Sequence, residues 1–447
     1  MATLTASRER AGTSLPVLER GALGRAGEPE WLLTARRNAA AAFDRIGFPT
    51  TRDEEWRFTN IAPIAAIPWA KAPVLPVPPE DVARVLIPGL AGPVLVFVNG
   101  RYAPDLSARR APSTGVSVTT LAESVERNGA DLRLHLGRYA DASSRAFPAL
   151  NAAVFEDAAL VTVADDTVAD AAIQLVFLST PTPEPAVTHP RVLVVLGRNS
   201  QARLVETFAS VGPARGLTNA VTEIVVGDGA VLDHCRLQHE AETAFHVGHT
   251  QYWIGRSGTS TSHAISLGGR IARHDAVAVL AGEGAECTLN GLYLADGTRM
   301  IDNHTEIEHA VPHGTSHELY KGILAGHARG VFNGRIRVRP DAQKTDAKQT
   351  NKTLLLSDQA QVNTKPQLEI LANDVRCTHG ATVGQLSEDA LFYLRARGIG
   401  AGDAKRMLVK AFAADVTSRI TLEPLRAEID RLLALRLDAA LAEGVTA

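Results

Sequence analysis

Residues 191–229 read RVLVVLGRNSQARLVETFASVGPARGLTNAVTEIVVGDG. Short bursts of Val, Ile, Leu and Thr alternate with turns, and two of those turns, Gly197-Arg198-Asn199 and Gly227-Asp228-Gly229, start 30 residues apart. The same rhythm continues outward. Gly255-Arg256-Ser257-Gly258 and Gly282-Glu283-Gly284 follow at steps of 28 and 27. Turns at Asp341, Asp358 and Asp374 then come 17 and 16 apart, about half a step. A sandwich would place turns every ~8–12 residues with stronger hairpin signals. Strand repetition without intervening helices, at spacings near 15 and 30, is what a flattened solenoid gives, with one strand and one turn per half coil. The fold class is therefore mainly β, a β-helix spanning 155–384.

Helical texture flanks this core. After a lead-in at 1–28 rich in Gly, Ser and Arg, read as mobile, the stretch WLLTARRNAAAAFDRIG sets Trp31, Leu32, Ala35, Ala39, Ala42, Phe43 and Ile46 at steps of three and four, and Gly47 stops it. The region 29–154 is read as mainly helical, with a proline-dense linker (KAPVLPVPPEDV) and a hairpin at Asn99-Gly100 inside VLVFVNGRYAP. Residues 385–447 return to helix. Ser387 caps LSEDALFYLRARG, Gly398 ends it, Met407, Leu408, Ala411 and Phe412 form a stripe on the next helix, and Leu425, Ile429, Leu432 and Leu433 on the last.

The chain has 447 residues, 45% hydrophobic and 21% charged, with a net charge of −3. That balance favours neither nucleic acid nor a membrane surface as partner. No apolar run reaches the ~18–20 residues of a membrane span, and the first 30 residues carry charges throughout, unlike a signal peptide. Cys235, Cys287 and Cys377 are too few and scattered for a disulfide framework, which points to a reducing compartment, the cytoplasm.

One stretch concentrates metal-ligand chemistry: NDVRCTHGATVG at 373–384. On an extended chain Cys377 and His379 share a face while Thr378 turns away. A thiol beside an imidazole is half of a metal site, since zinc and iron–sulfur sites take about four such ligands, and this chain has no second cysteine nearby to complete it. The alternative is a buried thiol beside a surface histidine. His304, His309, His313 and His317 lie within 14 residues among Glu306, Glu308 and Glu318, but Pro312 and Gly314 break any helical ligand face. They read as hydrogen-bonded residues of solenoid strands and turns rather than a metal site. His234, His239, His246 and His249 surround Cys235, which sits inside an alternating strand as a small hydrophobe, like Cys287.

No Gly-x-Ser-x-Gly elbow and no P-loop occur. A polysaccharide-lyase type of β-helix enzyme remains as a rival reading, against which stands the missing export signal. The C-terminal helices either cap the solenoid, as open repeat stacks require, or dock a partner: LFYLRARGI mixes aromatic, aliphatic and Arg side chains as interface cores do.

Three stretches together, RRNAAAAFDRIGFPTTRDEEWRFTNIAPI from Arg36, DNHTEIEHAVPHGTSHELYKGIL from Asp302 and QKTDAKQTNKTLLLSDQAQVNTKPQLEILANDVRCTHGATVGQLSEDALFYLRARGI from Gln343, resemble the SufB/SufD family of iron–sulfur cluster assembly proteins, on its SufD side. The resemblance covers about residues 36–416. It departs from the usual pattern at Phe58, where a Tyr is customary. It implies a right-handed parallel β-helix and a non-catalytic scaffold that pairs with the paralogue SufB and docks the ATPase SufC. No permanently bound cofactor is implied: a nascent cluster forms at the SufB interface, and ATP sits on SufC only. His379 matches the family's ligand histidine and Cys377 its neighbouring cysteine, with His379 preferred. Gly380 stands where SufB-like chains carry an acidic residue. For SufC docking the resemblance points to Leu391, Phe392, Tyr393, Leu394, Arg397, Ile399, Met407, Leu408 and Phe412. A homodimer or stand-alone binding solenoid is the rival reading.

Overall fold

The computed structural model describes residue 24 and residues 27–108, 113–127 and 130–443, so the lead-in lies almost wholly outside the described residues. The chain winds into a flattened solenoid of two facing parallel sheets. One sheet runs through Arg191–Leu196, Leu217–Val226, Phe245–Ile254, Ile271–Leu280, Met300–His309, Arg329–Val338 and Gln361–Ile370. The facing sheet runs through Ile173–Ser179, Gln201–Ser210, Val231–Gln238, Thr259–Ser266, Glu286–Ala295, Thr315–Leu324, Asp346–Leu355 and Arg376–Gly384. Successive strands alternate between the sheets. Gln201 pairs with Val231, Val231 with Thr259 and Thr259 with Glu286, steps of 30, 28 and 27 residues that match the turn spacing.

The turns stack because each offers a left-handed residue whose N–H bonds the next coil. Asn199, Ser257, His313 and Lys344 all have φ between 52° and 62°. Their N–H groups donate to the carbonyls of Asp228, Glu283, Gln343 and Asp374. Gly229 (φ 66°) does the same to Arg256. The later, closer turns prove to alternate between the two edges of the coil: Asp341 and Asp374 lie on one edge, Asp358 on the other.

Inside, the early coils are apolar. Phe97, Phe177 and Phe208 stack at 5.1 and 5.0 Å. The middle coils are polar: His234 Nδ1 lies 2.7 Å from Tyr252 Oη, which donates to Ser262 at 2.7 Å, and His246 Nδ1 meets Glu240 at 2.6 Å. Buried polar groups of this kind are stable only when paired.

The sheets begin ahead of residue 155. Val94–Val98 joins Ile173–Ser179 in parallel, and Val116–Thr120 runs antiparallel to Ala159–Val163. The Asn99-Gly100 turn is a hairpin with both residues at positive φ (50° and 81°). The proline-dense stretch is packed rather than free, since Val77 and Val82 are buried with Val96 and Val176 and Pro79 opens a short helix to Ala83. Helix Glu30–Ile46 buries Leu32, Ala39, Ala42 and Phe43 as its spacing predicts, but it also buries Arg36 in place of Ala35. Arg36 reaches Glu28 and the carbonyls of Ala153 and Phe155, stacking on the Phe155 ring at 4.1 Å.

Three C-terminal helices follow the last strand: Glu388–Ala396, Ala401–Thr417 and Glu423–Glu443. The second and third lie on the outer face of the facing sheet. Val409, Ala413, Val416, Leu425, Ile429 and Leu433 pack there against Leu237, Ile265, Leu292 and Ile323. Each fully buried aliphatic contributes about 1.5–3 kcal/mol. The buried stripe of the middle helix is therefore turned from the expected one: Met407 and Ala411 are exposed, Leu408 and Phe412 half-buried, and Val409 and Ala413 face inward. No helix among the described residues is long and apolar enough to cross a membrane.

The open end of the solenoid as candidate functional site

Because the helices lie along a face, they leave the last coil bare. Strand Arg376–Gly384 pairs with Asp346–Leu355 on one edge and with no strand among the described residues on the other. Gln361–Ile370 ends the opposite sheet in the same way. Two adjacent parallel edges thus present unpaired N–H and C=O groups, a template for another chain.

In a β-solenoid, in-register pairing stacks side chains into columns. Cys377 lies over Ala347 and Ser316, and His379 over Gln349 and Glu318. Ala347, Gln349, Ser316 and Glu318 are buried inside the coil, so Cys377 and His379 both face the interior side, at its mouth. Thr378 and Gly380 point to the outer face, as strand alternation requires.

The two side chains differ in setting. His379 is exposed. Cys377 is half-buried and packs on the apolar group Ile336, Val338, Ala342, Ala347 and Ala372. Burial, then the nearby Asp346 carboxylate, push its thiol pKa up, which disfavours the thiolate a metal binds. Cys235 and Cys287 are fully buried, and burial raises both thiols further.

The histidine run does not assemble. His304 lies against Asp302, Arg273 and Glu55; burial pulls its pKa down, but Asp302 and Glu55 outweigh that and hold it above the ordinary value. Glu55 is in turn lowered to about 2, chiefly by its hydrogen bond with His304. This pair, with Arg273 stacked 3.7 Å over Trp56, fastens the EEWRF segment to the sheet. His309 bonds Ser316 Oγ at 2.9 Å, and burial lowers it to about 4. His313 sits in a turn, and His317 is exposed on the outer face of the other sheet. Among the described residues no three His, Cys, Asp or Glu side chains gather as a metal site.

Two residues of the column beneath His379 escape a reading of the sequence by strand pattern. Glu318 is fully buried, and desolvation raises its carboxyl to about 7. Gln349 Nε2 donates to its Oε2 at 2.7 Å. The coil period would have found both, since 318, 349 and 379 are 31 and 30 apart.

The docking residues expected from the sequence divide. Helix Glu388–Ala396, capped by the Ser387 hydroxyl accepting from the Ala390 N–H at 3.3 Å, buries none of its residues. Phe392 is 75% exposed, Tyr393 59% and Met407 48%. Arg397 is exposed and stacks on Tyr393 at 5.1 Å, while Leu391, Leu394, Ile399 and Leu408 are half-buried. Phe412 turns toward the solenoid, where Lys321 Nζ sits 4.0 Å from its ring and donates to its carbonyl at 2.7 Å.

Comparison with known proteins places the chain in a family. Residues 177–412 match the SufBD core domain of the SUF system of iron–sulfur cluster assembly, and residues 20–175 the SufBD N-terminal region. The chain is similar to an iron–sulfur cluster assembly SufBD family protein of Synechocystis, 30% identical over 94% of this chain and 95% of the relative. It is also similar to the iron–sulfur cluster assembly protein SufD of Escherichia coli, 31% identical over 88% of this chain and 90% of that protein. The chain belongs to the SufBD family of iron–sulfur cluster assembly proteins.

Proposed function

We propose that this chain is the SufD-type scaffold subunit of a SufB–SufC–SufD assembly. It pairs with SufB through the open end of the solenoid and contributes His379 to a site where a nascent iron–sulfur cluster, as cargo, is built. The observation that carries this reading is the unpaired terminal strand Arg376–Gly384, with His379 exposed on the side facing the coil interior. A half-site at a free edge is completed by the partner that covers the edge. The raised thiol of Cys377 supports His379 as the ligand and Cys377 as packing.

The SufC ATPase docks on helix Glu388–Ala396 and the adjoining turn of the next helix. The support is the exposed Phe392 and Tyr393 on a helix with no buried residue of its own, with the exposed Met407 on the next helix. The described chain supplies scaffold groups, with ATP held by the partner. Closing of two ATPases would pull on these helices. Lys321 ties the helix Ala401–Thr417 to strand Thr315–Leu324, through its bonds to the Phe412 carbonyl and Asp415. That strand carries Glu318 on its inner face, so movement of the helices reaches the column that ends at His379. A ligand that prefers one arrangement of such a linked pair biases the other.

The test is anaerobic co-expression of the tagged chain with a SufB-like and a SufC-like protein, followed by the mass of the eluted complex. A complex with one copy of this chain, one SufB and two ATPases supports the proposal. Elution of the chain alone or as a homodimer contradicts it.

A further inference from the structure

Gln349, a buried side chain of the coil beneath the open end, has one end of its amide unpartnered. Gln349 is 2% exposed, and its Nε2 donates to Glu318 Oε2 at 2.7 Å. Its carbonyl oxygen Oε1 is buried and has no hydrogen-bond partner among the described residues. A buried acceptor left unmade is costly, so the position calls for a donor. Glu318 fixes which end of the amide is free: the NH₂ end is held from below, so the oxygen is the end left over.

The fold places His379 above it as a candidate donor. Gln349 and His379 are register partners on adjacent parallel strands, which lie ~4.8 Å apart, and both face inward. Room for the Gln349 amide comes from the opposite sheet, where residue 334 is glycine. A Cβ there would lie 2.3 Å from Gln349 Nε2. The chain therefore keeps space for this amide directly beneath the histidine.

We infer that Gln349 is a positioning residue for His379: its Oε1 accepts a hydrogen bond from one imidazole nitrogen, which leaves the lone pair of the other nitrogen directed out of the open end toward the cluster. An imidazole ligand held by a carbonyl through its second nitrogen is fixed in tautomer and ring orientation and is more basic toward metal. The inference rests on the proposed role of His379 as a cluster ligand and adds what orients it. The order of the column is then Glu318, Gln349, His379, cargo.

The experiment uses the complete anaerobic complex, reconstituted with ferrous iron and sulfide, and reads the rate of iron loss to a chelator from the decay of the cluster's visible absorption. Gln349→Met keeps the length and removes the acceptor. Loss of this outer-shell partner is expected to weaken metal holding about 10- to 100-fold with the subunit ratio unchanged, while the melting temperature falls modestly because Glu318 Oε2 also loses its donor. Gln349→Glu keeps an acceptor oxygen, sharing one proton with Glu318, and should restore a rate near that of the parent. Parental iron loss in Gln349→Met overturns the inference. So does failure of Gln349→Glu to restore, or a loss of partner subunits from the Gln349→Met complex that accounts for the change. His379→Ala run alongside separates the two levels. If it loses the cluster while Gln349→Met holds it, only the positioning role fails; if His379→Ala also holds it, the ligand role fails.

Discussion

Glu318→Gln should make this protein more stable at alkaline pH and leave it nearly unchanged in acid. The carboxyl is buried, and desolvation raises it from its ordinary 4.5 to about 7, against the opposing hydrogen bond from Gln349. Between those values the folded state holds a proton that the unfolded chain has released, so stability falls as pH rises from about 4.5 through about 7. At about 1.36 kcal/mol per unit over roughly two and a half units, the parent loses about 3 kcal/mol across that window. Glutamine has the same shape, still offers an oxygen to Gln349 Nε2 and cannot ionise. The difference in stability between variant and parent should therefore shift by about 3 kcal/mol in the variant's favour between pH 4 and pH 8. Urea denaturation of both proteins at the two pH values measures it. A difference that does not change with pH, or one that moves against the variant, would refute the reasoning that Glu318 is charged at the expense of the fold.

Other changes separate the roles of the helices and of the sheet. Phe392→Asp, at a side chain 75% exposed on a helix that buries nothing, should release the ATPase from the complex while the melting temperature stays within about 1 °C; retention of the ATPase on a column would place docking elsewhere. Lys321→Met removes the bonds to the Phe412 carbonyl and Asp415 while keeping the buried stem. Charge-assisted bonds of this kind contribute about 1.5–3 kcal/mol, so amides of helix Ala401–Thr417 should exchange at least about tenfold faster, and unchanged exchange would show that the lysine is not what fastens the helix.

The solenoid was legible because its turns need left-handed backbone, and Gly229, Gly284 and Asn199 advertise it. Where the same geometry is carried by Ser257, His313 and Lys344, residue type gives no warning, and His313 looks like part of a ligand cluster. The C-terminal stripe was misplaced by one position because Met407 and Phe412 are the larger apolar side chains, whereas the helix turns Val409 and Ala413 onto the sheet. Arg36 and His304 were hidden for another reason: their partners, Glu28 and the Ala153 and Phe155 carbonyls for one, Asp302 and Glu55 for the other, come together only in the fold. Cys377 and His379 sharing a face followed from strand alternation alone. The interior column beneath them did not, because a lone Glu or Gln in a strand reads as solvated until the coil period of about 30 residues is applied from His379 downward.

The most direct measurement is the iron and sulfide content of the co-purified complex formed with His379→Ala, compared under anaerobic conditions with the parent complex. The expected result is the same subunit ratio and a cluster content reduced about tenfold or more. Equal cluster content in the two complexes would contradict the claim that the open end of this solenoid supplies a ligand.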